Sequence, residues 1–260
     1  MLKDNYLKKI FESKKKAIGT WNIINSHMVV DVIASSGVDF IVIDAEHGAI
    51  DFDTAQLMGG ICESYSVSPI MRVGEINESL ILRALDIGMH GVQLPNIGTR
   101  EDAERFVSLA KYPPLGMRGF SPYTKAGLYD SSNGGRLVSA ANSNVLLIAN
   151  VEGEEGFANL DEISKVQGID VIFIGLFDLS KSLGLAGQVQ HPKVLKKLDE
   201  AISIVHRNNK LVGSIASNLE MLEQLQRKEI DYLTYSVDTG MIKEAYKLMI
   251  DTYRGQGTVP

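Results

Sequence analysis

Phe40-Ile41-Val42-Ile43-Asp44-Ala45-Glu46-His47-Gly48 reads as a strand that ends in titratable groups. Four apolar residues in a row, three of them β-branched, do not alternate with polar ones. That is the pattern of a strand buried on both faces, as parallel strands are when helices cover the sheet. Working outward, similar runs recur at Ala17–Ile24, Pro69–Val73, Gly91–Leu94, Val145–Val151, Val171–Ile174, Leu211–Ile215 and Tyr232–Val237. The stretches between them carry helix signals. Asn77 is a plausible N-cap and Gly88 a plausible C′ residue around a helix starting at Glu78. Thr99-Arg100-Glu101-Asp102 resembles a capping box with Asp in place of Glu. His191-Pro192 sets a proline at a first helical position.

Eight strand–helix pairs in 260 residues predict an α/β chain closed into a (β/α)8 TIM barrel. A doubly wound open sheet is the alternative, but no Gly-rich dinucleotide fingerprint follows the first strand. The expectation is one domain over residues 1–260. It has an amphipathic N-terminal helix within 1–16 over one barrel end and a helix at the C-terminus. Residues 112–144, rich in Pro, Gly, Ser and Asn, form a long loop segment with a short helix near Arg136–Ala141.

Composition narrows the partners. Hydrophobic residues make up 45% and charged residues 22%, with a formal net charge of −6 and no basic stripe. That argues against nucleic acid and leaves small molecules. No run approaches the roughly 18 apolar residues of a membrane span, and Met1–Lys16 lacks the apolar core of a signal peptide. The single cysteine, Cys62, cannot form an internal disulfide. It fits a reducing, cytoplasmic setting and reads as a buried, inert thiol.

In such a barrel the chemistry gathers at the C-terminal ends of the strands. Asp44, Glu46 and His47 follow the second run, and Arg72 ends the third. Asn150 and Glu152 end the fifth, and Asp178 lies just past the sixth. Singly, each has an ordinary reading: Asp44 as a rim ion pair, His47 as a rim histidine, Glu152 as part of a solvated acidic turn with Glu154 and Glu155, Arg72 as a partner for one of these acids. Jointly, several carboxylates around one mouth repel unless a cation neutralises them. A hard divalent ion, Mg²⁺ or Mn²⁺, suits oxygen ligands. Asp86 stands apart, since it falls in the last turn of its helix, where the macrodipole disfavours an anion.

Six segments together resemble the HpcH/HpaI aldolases, the class II pyruvate aldolases: Asp44-Ala-Glu-His-Gly48, Met71-Arg72, Leu85-Asp-Ile-Gly88, Tyr112-Pro-Pro-Leu-Gly-Met-Arg-Gly119, Val151-Glu152 and Gly175-Leu-Phe-Asp-Leu-Ser180. The resemblance runs over roughly Ile18 to Met249. It implies a metal-dependent, reversible retro-aldol cleavage of a 4-hydroxy-2-oxo acid to pyruvate, or a close 2-oxo acid, and an aldehyde. It also implies a homohexamer. Glu152 and Asp178 match the metal carboxylates, with Mg²⁺ or Mn²⁺ expected and Co²⁺ an option. His47 matches the base acting through a metal-bound water. Asp86, from across a subunit contact, matches the group that strengthens that base. Arg72 matches the residue that stabilises developing negative charge. Asn150 falls where the family usually has Gln touching substrate, and Phe177 and Asp178 where backbone N–H groups hold the substrate carboxylate. Asp44 and Glu46 would support these groups from behind.

Departures from the family pattern bear on substrate range more than on reaction type: Leu176 replaces a usual proline, Phe177 adds bulk, and Asn150 in place of Gln shortens a contact by one methylene. Two further readings stay open. One is a CoA-ester lyase of the citramalyl- or malyl-CoA type on the same barrel. The other is a barrel that binds a 2-oxo acid without turnover.

Overall fold

In a computed structural model of the protein, which describes residues 4–255, the eight apolar runs are strands. They are β1 (Ala17–Asn22), β2 (Phe40–Asp44), β3 (Ser68–Arg72), β4 (Gly91–Leu94), β5 (Leu146–Val151), β6 (Val171–Ile174), β7 (Leu211–Ala216) and β8 (Tyr232–Val237). Each pairs in parallel with its neighbours in sequence order, and β1 pairs with β8, so the sheet closes into the expected (β/α)8 barrel. Boundaries differ from the sequence expectation by two residues at most.

The strand period of two sorts the side chains. Inward positions Phe40 and Val42, Ile70, Leu146 and Ile148, Val171 and Phe173, Tyr232 and Trp21 form one buried cluster inside the barrel. The alternate residues Ile41, Ile43, Val92, Leu147 and Ile172 pack outward beneath the helices in a second cluster. Continuing the inward parity along each strand gives Asp44 on β2, Arg72 on β3, and Asn150 then Glu152 at the end of β5.

The helix Tyr6–Glu12 closes the opposite end, burying Leu7 in the inner cluster; residues 1–3 of the expected helix lie outside the described residues. Asn5 ties it down, its Nδ2 donating to the carbonyls of His90 (2.8 Å) and Asn144 (2.7 Å). The remaining caps follow the sequence reading. Asn77 accepts from Leu80 N. Thr99 and Asp102 form the reciprocal box. His191 caps the helix Pro192–Arg207.

Residues 112–144 are more ordered than their composition suggests. They contain 3-10 turns at Lys125–Gly127 and Ser131–Asn133 and an eleven-residue helix, Gly134–Asn144. Lys111 anchors that helix, its Nζ donating to the carbonyls of Asn142 (3.0 Å) and Val145 (2.8 Å). Asp238 secures the barrel seam. Its buried carboxylate accepts from Asn22 Nδ2 (2.6 Å), Ile24 N (3.0 Å) and Thr239 N (2.7 Å), joining the end of β1 to the helix Asp238–Tyr253 that follows β8. That last helix leaves Met241, Ile242, Tyr246, Leu248 and Met249 exposed. Among the described residues no helix is long and apolar enough to cross a membrane.

Candidate active site

The barrel mouth holds a cavity of about 310 Å³ lined by Asp44, His47, Arg72, Asn150, Glu152, Phe177 and Asp178. Trp21, Ile23, Phe173, Ile215 and Val237 add an apolar part to the lining. Seven of the sequence-predicted site residues therefore meet in one place. Glu46 stands beside them through its contact with Arg72.

The turn after β2 shapes this mouth. Asp44 is buried, and its Oδ1 accepts from the backbone N–H of Glu46 (3.0 Å) and His47 (3.3 Å). The chain bends so sharply that a Cβ on Gly48 would sit 2.4 Å from the Asp44 carbonyl oxygen, so only glycine fits there. The bend leaves His47 exposed at the rim of the cavity.

Arg72 is clamped on three sides. β2 and β3 set Asp44 opposite Arg72 in register. The guanidinium donates from Nε to Asp44 Oδ1 at 2.8 Å and from Nη2 to Asp44 Oδ2, a bidentate pair. Nη1 lies 3.0 Å from Glu46 Oε2. The guanidinium carbon lies 4.3 Å from the Trp21 ring centroid, a cation–π contact. Trp21 is held in turn by its Nε1–H on Thr234 Oγ1 at 3.0 Å. The ordinary reading of Arg72 as an ion-pair partner and the functional one are thus compatible: the pairing fixes the guanidinium within the cavity.

Across the mouth, Gly175 separates two carboxylates. A Cβ built there would lie 3.6 Å from Asp178 Oδ2 and 3.9 Å from Glu152 Oε1. Burial pushes the Glu152 carboxyl up from its ordinary value. The Asn150 hydrogen bond opposes this, the charges of Asp178 and Glu46 add to it, and Arg72 opposes. Among the described residues no cluster of three or more His, Cys, Asp or Glu side chains is arranged to hold a metal. Two converging carboxylates over an open cradle nonetheless fit a hard divalent cation, which keeps several water or substrate oxygens in its shell.

Asp86 is elsewhere. It ends the helix Glu78–Asp86, which runs back from the mouth, and its Oδ1 accepts from Arg118 Nη2 at 2.7 Å. Arg118 is buried and lies over the Tyr112 ring, its guanidinium carbon 4.6 Å from the centroid. Burial raises the Asp86 carboxyl, and Arg118 opposes that. An anion at a helix C-terminus is thereby matched by a cation that sequence reading left without a role. Within one chain, Asp86 does not reach the cavity that His47 borders.

Cys62 is buried, and burial pushes its thiol up to about 12, so it is no nucleophile at neutral pH. Sequence reasoning missed Trp21, Phe173, Ile215 and Gln93. Strand parity would have found Trp21 as the third inward position of β1, and Gln93 as a lone amide in an otherwise apolar strand.

Comparison with known proteins identifies the family of the chain. The family model described as HpcH/HpaI aldolase/citrate lyase matches residues 17–245. A 5-keto-4-deoxy-D-glucarate aldolase of Shigella boydii serotype 18 is 28% identical over 252 residues, covering 96% of both chains. Among solved structures, an HpcH/HpaI aldolase from Desulfitobacterium hafniense DCB-2 superposes with a TM-score of 0.90 at 26% identity, covering 98% of each chain. A citrate synthase, SbnG, superposes with a TM-score of 0.87 at 28% identity, covering 98% of this chain and 99% of that one. With the family model spanning nearly the whole barrel, this chain belongs to the HpcH/HpaI aldolase/citrate lyase family.

Proposed function

We propose that this protein cleaves a 4-hydroxy-2-oxo acid reversibly into pyruvate, or a close 2-oxo acid, and an aldehyde, with a divalent cation held by Glu152 and Asp178. The observation that carries this reading is the convergence of those two carboxylates over Gly175 in the cavity that also presents His47 and Arg72. Mg²⁺ or Mn²⁺ suits the oxygen donors, and Co²⁺ is a usable substitute. When bound, the cation supplies Lewis acidity toward the 2-oxo acid.

Breaking the bond beta to the ketone leaves negative charge on the C2 oxygen. Arg72, already oriented by Asp44 and Trp21, shares that charge. His47 at the rim takes the proton from the C4 hydroxyl. Asn150 offers an N–H to a substrate oxygen. The backbone N–H groups of Phe177 and Asp178, in the first turn of the helix Leu176–Ser182, face the substrate carboxylate. Among the described residues Arg72 is the one arginine or lysine lining the cavity. That gives little purchase for the phosphates of a CoA ester.

A homo-oligomer, a hexamer by family resemblance, completes the site. Two features support it: Asp86 lies away from His47 within one chain, and the helix Asp238–Tyr253 exposes an apolar row. Asp86 then acts from a neighbouring copy, where its charge favours imidazolium and strengthens His47 as a base.

Pyruvate release from a panel of 4-hydroxy-2-oxo acids, coupled to NADH oxidation by lactate dehydrogenase, tests the reading. 5-keto-4-deoxy-D-glucarate, named for the Shigella relative, is the first compound to assay. Release that stops with EDTA, and in both Glu152→Ala and Asp178→Ala, is expected. Unchanged release in either variant would remove the metal assignment.

A further inference from the structure

A chain of hydrogen bonds crosses the barrel interior and ends on Glu152. Tyr232 Oη donates to Gln93 Oε1 at 3.2 Å. Gln93 Nε2 donates to Asn150 Oδ1 at 2.7 Å. Asn150 Nδ2 donates to Glu152 Oε1 at 3.0 Å. Tyr232, Gln93 and Asn150 are almost wholly buried, so solvent has little access to the bonds that join them. Tyr232 is itself immobilised, stacked on Phe40 at 4.0 Å between centroids and met edge-on by Phe173 at 6.1 Å.

The direction of the chain is set at both ends. A carboxylate only accepts, so Asn150 must turn its NH2 toward Glu152 and its oxygen toward Gln93. Gln93 must then present its own NH2 to Asn150 and its oxygen to the Tyr232 hydroxyl, which donates. Neither amide can flip without setting oxygen against oxygen in a buried site. Among the described residues, the second hydrogen of Asn150 Nδ2 is not taken up by the protein, and Asn150 borders the cavity.

We propose that Gln93 and Tyr232 are positioning residues that lock the Asn150 amide, and through it the Glu152 carboxylate. Asn150 then meets the substrate only as an N–H donor, and Glu152 is held facing Gly175. This rests on the cation-holding role proposed for Glu152. Asn150 then presents a donor to an acceptor oxygen of the substrate, such as a keto or enolate oxygen.

The test uses the full-length protein with Gln93→Met, which keeps side-chain length, and Tyr232→Phe, which keeps the stacked ring. Mn²⁺ affinity is measured by electron paramagnetic resonance without substrate. KM for pyruvate is measured in methyl-hydrogen exchange, and both variants are crystallised. Gln93→Met is expected to weaken Mn²⁺ binding by about tenfold, the lower end for partners that orient metal ligands. It should raise KM and turn the Glu152 carboxylate away from Gly175. Tyr232→Phe should shift all three in the same direction by less. Folded Gln93→Met with unaltered Mn²⁺ affinity and Glu152 in place would overturn the proposal. If Gln93→Met does not fold, unchanged affinity and unmoved Asn150 and Glu152 in Tyr232→Phe would overturn it instead. If the wild-type protein takes up no Mn²⁺, the cation reading fails separately. The positions of Asn150 and Glu152 in the variant crystals then decide this inference alone.

Discussion

Arg72 and His47 carry different kinds of risk in this site. Arg72 sits in a bidentate pair with Asp44 and over the face of Trp21, a geometry that lysine cannot reproduce. Arg72→Lys therefore keeps the charge and loses its aim. Retro-aldol turnover should fall by roughly 100-fold, the order seen when an oriented stabiliser of a developing oxyanion is removed. Steady-state kinetics with kcat near wild type would show that charge alone suffices. His47 has no comparable restraint beyond the backbone turn at Asp44. His47→Ala should lower kcat by roughly 100-fold or more while leaving Mn²⁺ affinity unchanged, because in the proposed function the imidazole moves a proton and Glu152 and Asp178 hold the cation. A matching loss of Mn²⁺ affinity would place His47 among the ligands instead.

At the scale of elements, the seam between β1 and β8 depends on one carboxylate. Asp238 accepts from Asn22, Ile24 and Thr239 while 3% exposed. Asp238→Ala strands those buried donors. The cost should be about 2–3 kcal/mol for charge-assisted bonds, and calorimetry should show a melting temperature lower by several degrees at equal protein concentration. An unchanged melting temperature would mean the seam is held by the strand pairing alone.

Much of this level was legible in the sequence. Continuous apolar runs gave the strands because burial on both faces leaves no alternation to misread. The caps at Asn77 and Thr99 and the proline at the start of the helix Pro192–Arg207 were legible because helix starts are local chemistry. The helix Gly134–Asn144 exceeded its expected extent because Gly134, Gly135 and Asn144 are weak helix formers. Its C-terminal end holds through tertiary bonds from Lys111 and Tyr112, which no local reading contains. The site divides the same way. Asp44, Arg72, Asn150, Glu152 and Asp178 followed from strand ends. Gln93 stands out in the sequence only as a lone amide in an apolar strand; its bond to Asn150 crosses to another strand, and the Arg118 partner of Asp86 likewise lies far along the chain.

For the whole molecule, Lys111 gives a pH signature. Burial lowers its ammonium to about 8 from the ordinary 10.5. Between those values the unfolded chain binds the extra proton, so this group adds stability as pH rises from about 8 toward 10.5. Below that window its desolvation cost is fully present. The melting temperature of the wild type relative to Lys111→Met should therefore increase between pH 7.5 and pH 10, and a constant difference would show that Lys111 keeps its proton throughout. Sedimentation should find an oligomer, and Tyr246→Lys on the exposed helix should shift it toward smaller species; a wild-type monomer would leave Asp86 without a route to His47.

The claim that matters most is that this barrel forms the enolate of a 2-oxo acid with the help of a divalent cation. Deuterium exchange into the methyl group of pyruvate, followed by NMR in D₂O, tests it without knowledge of the aldehyde. Exchange should require added Mg²⁺, stop with EDTA, and be lost in His47→Ala and in Asp178→Ala. Wild-type protein with the cation demonstrably bound and no exchange would contradict the account.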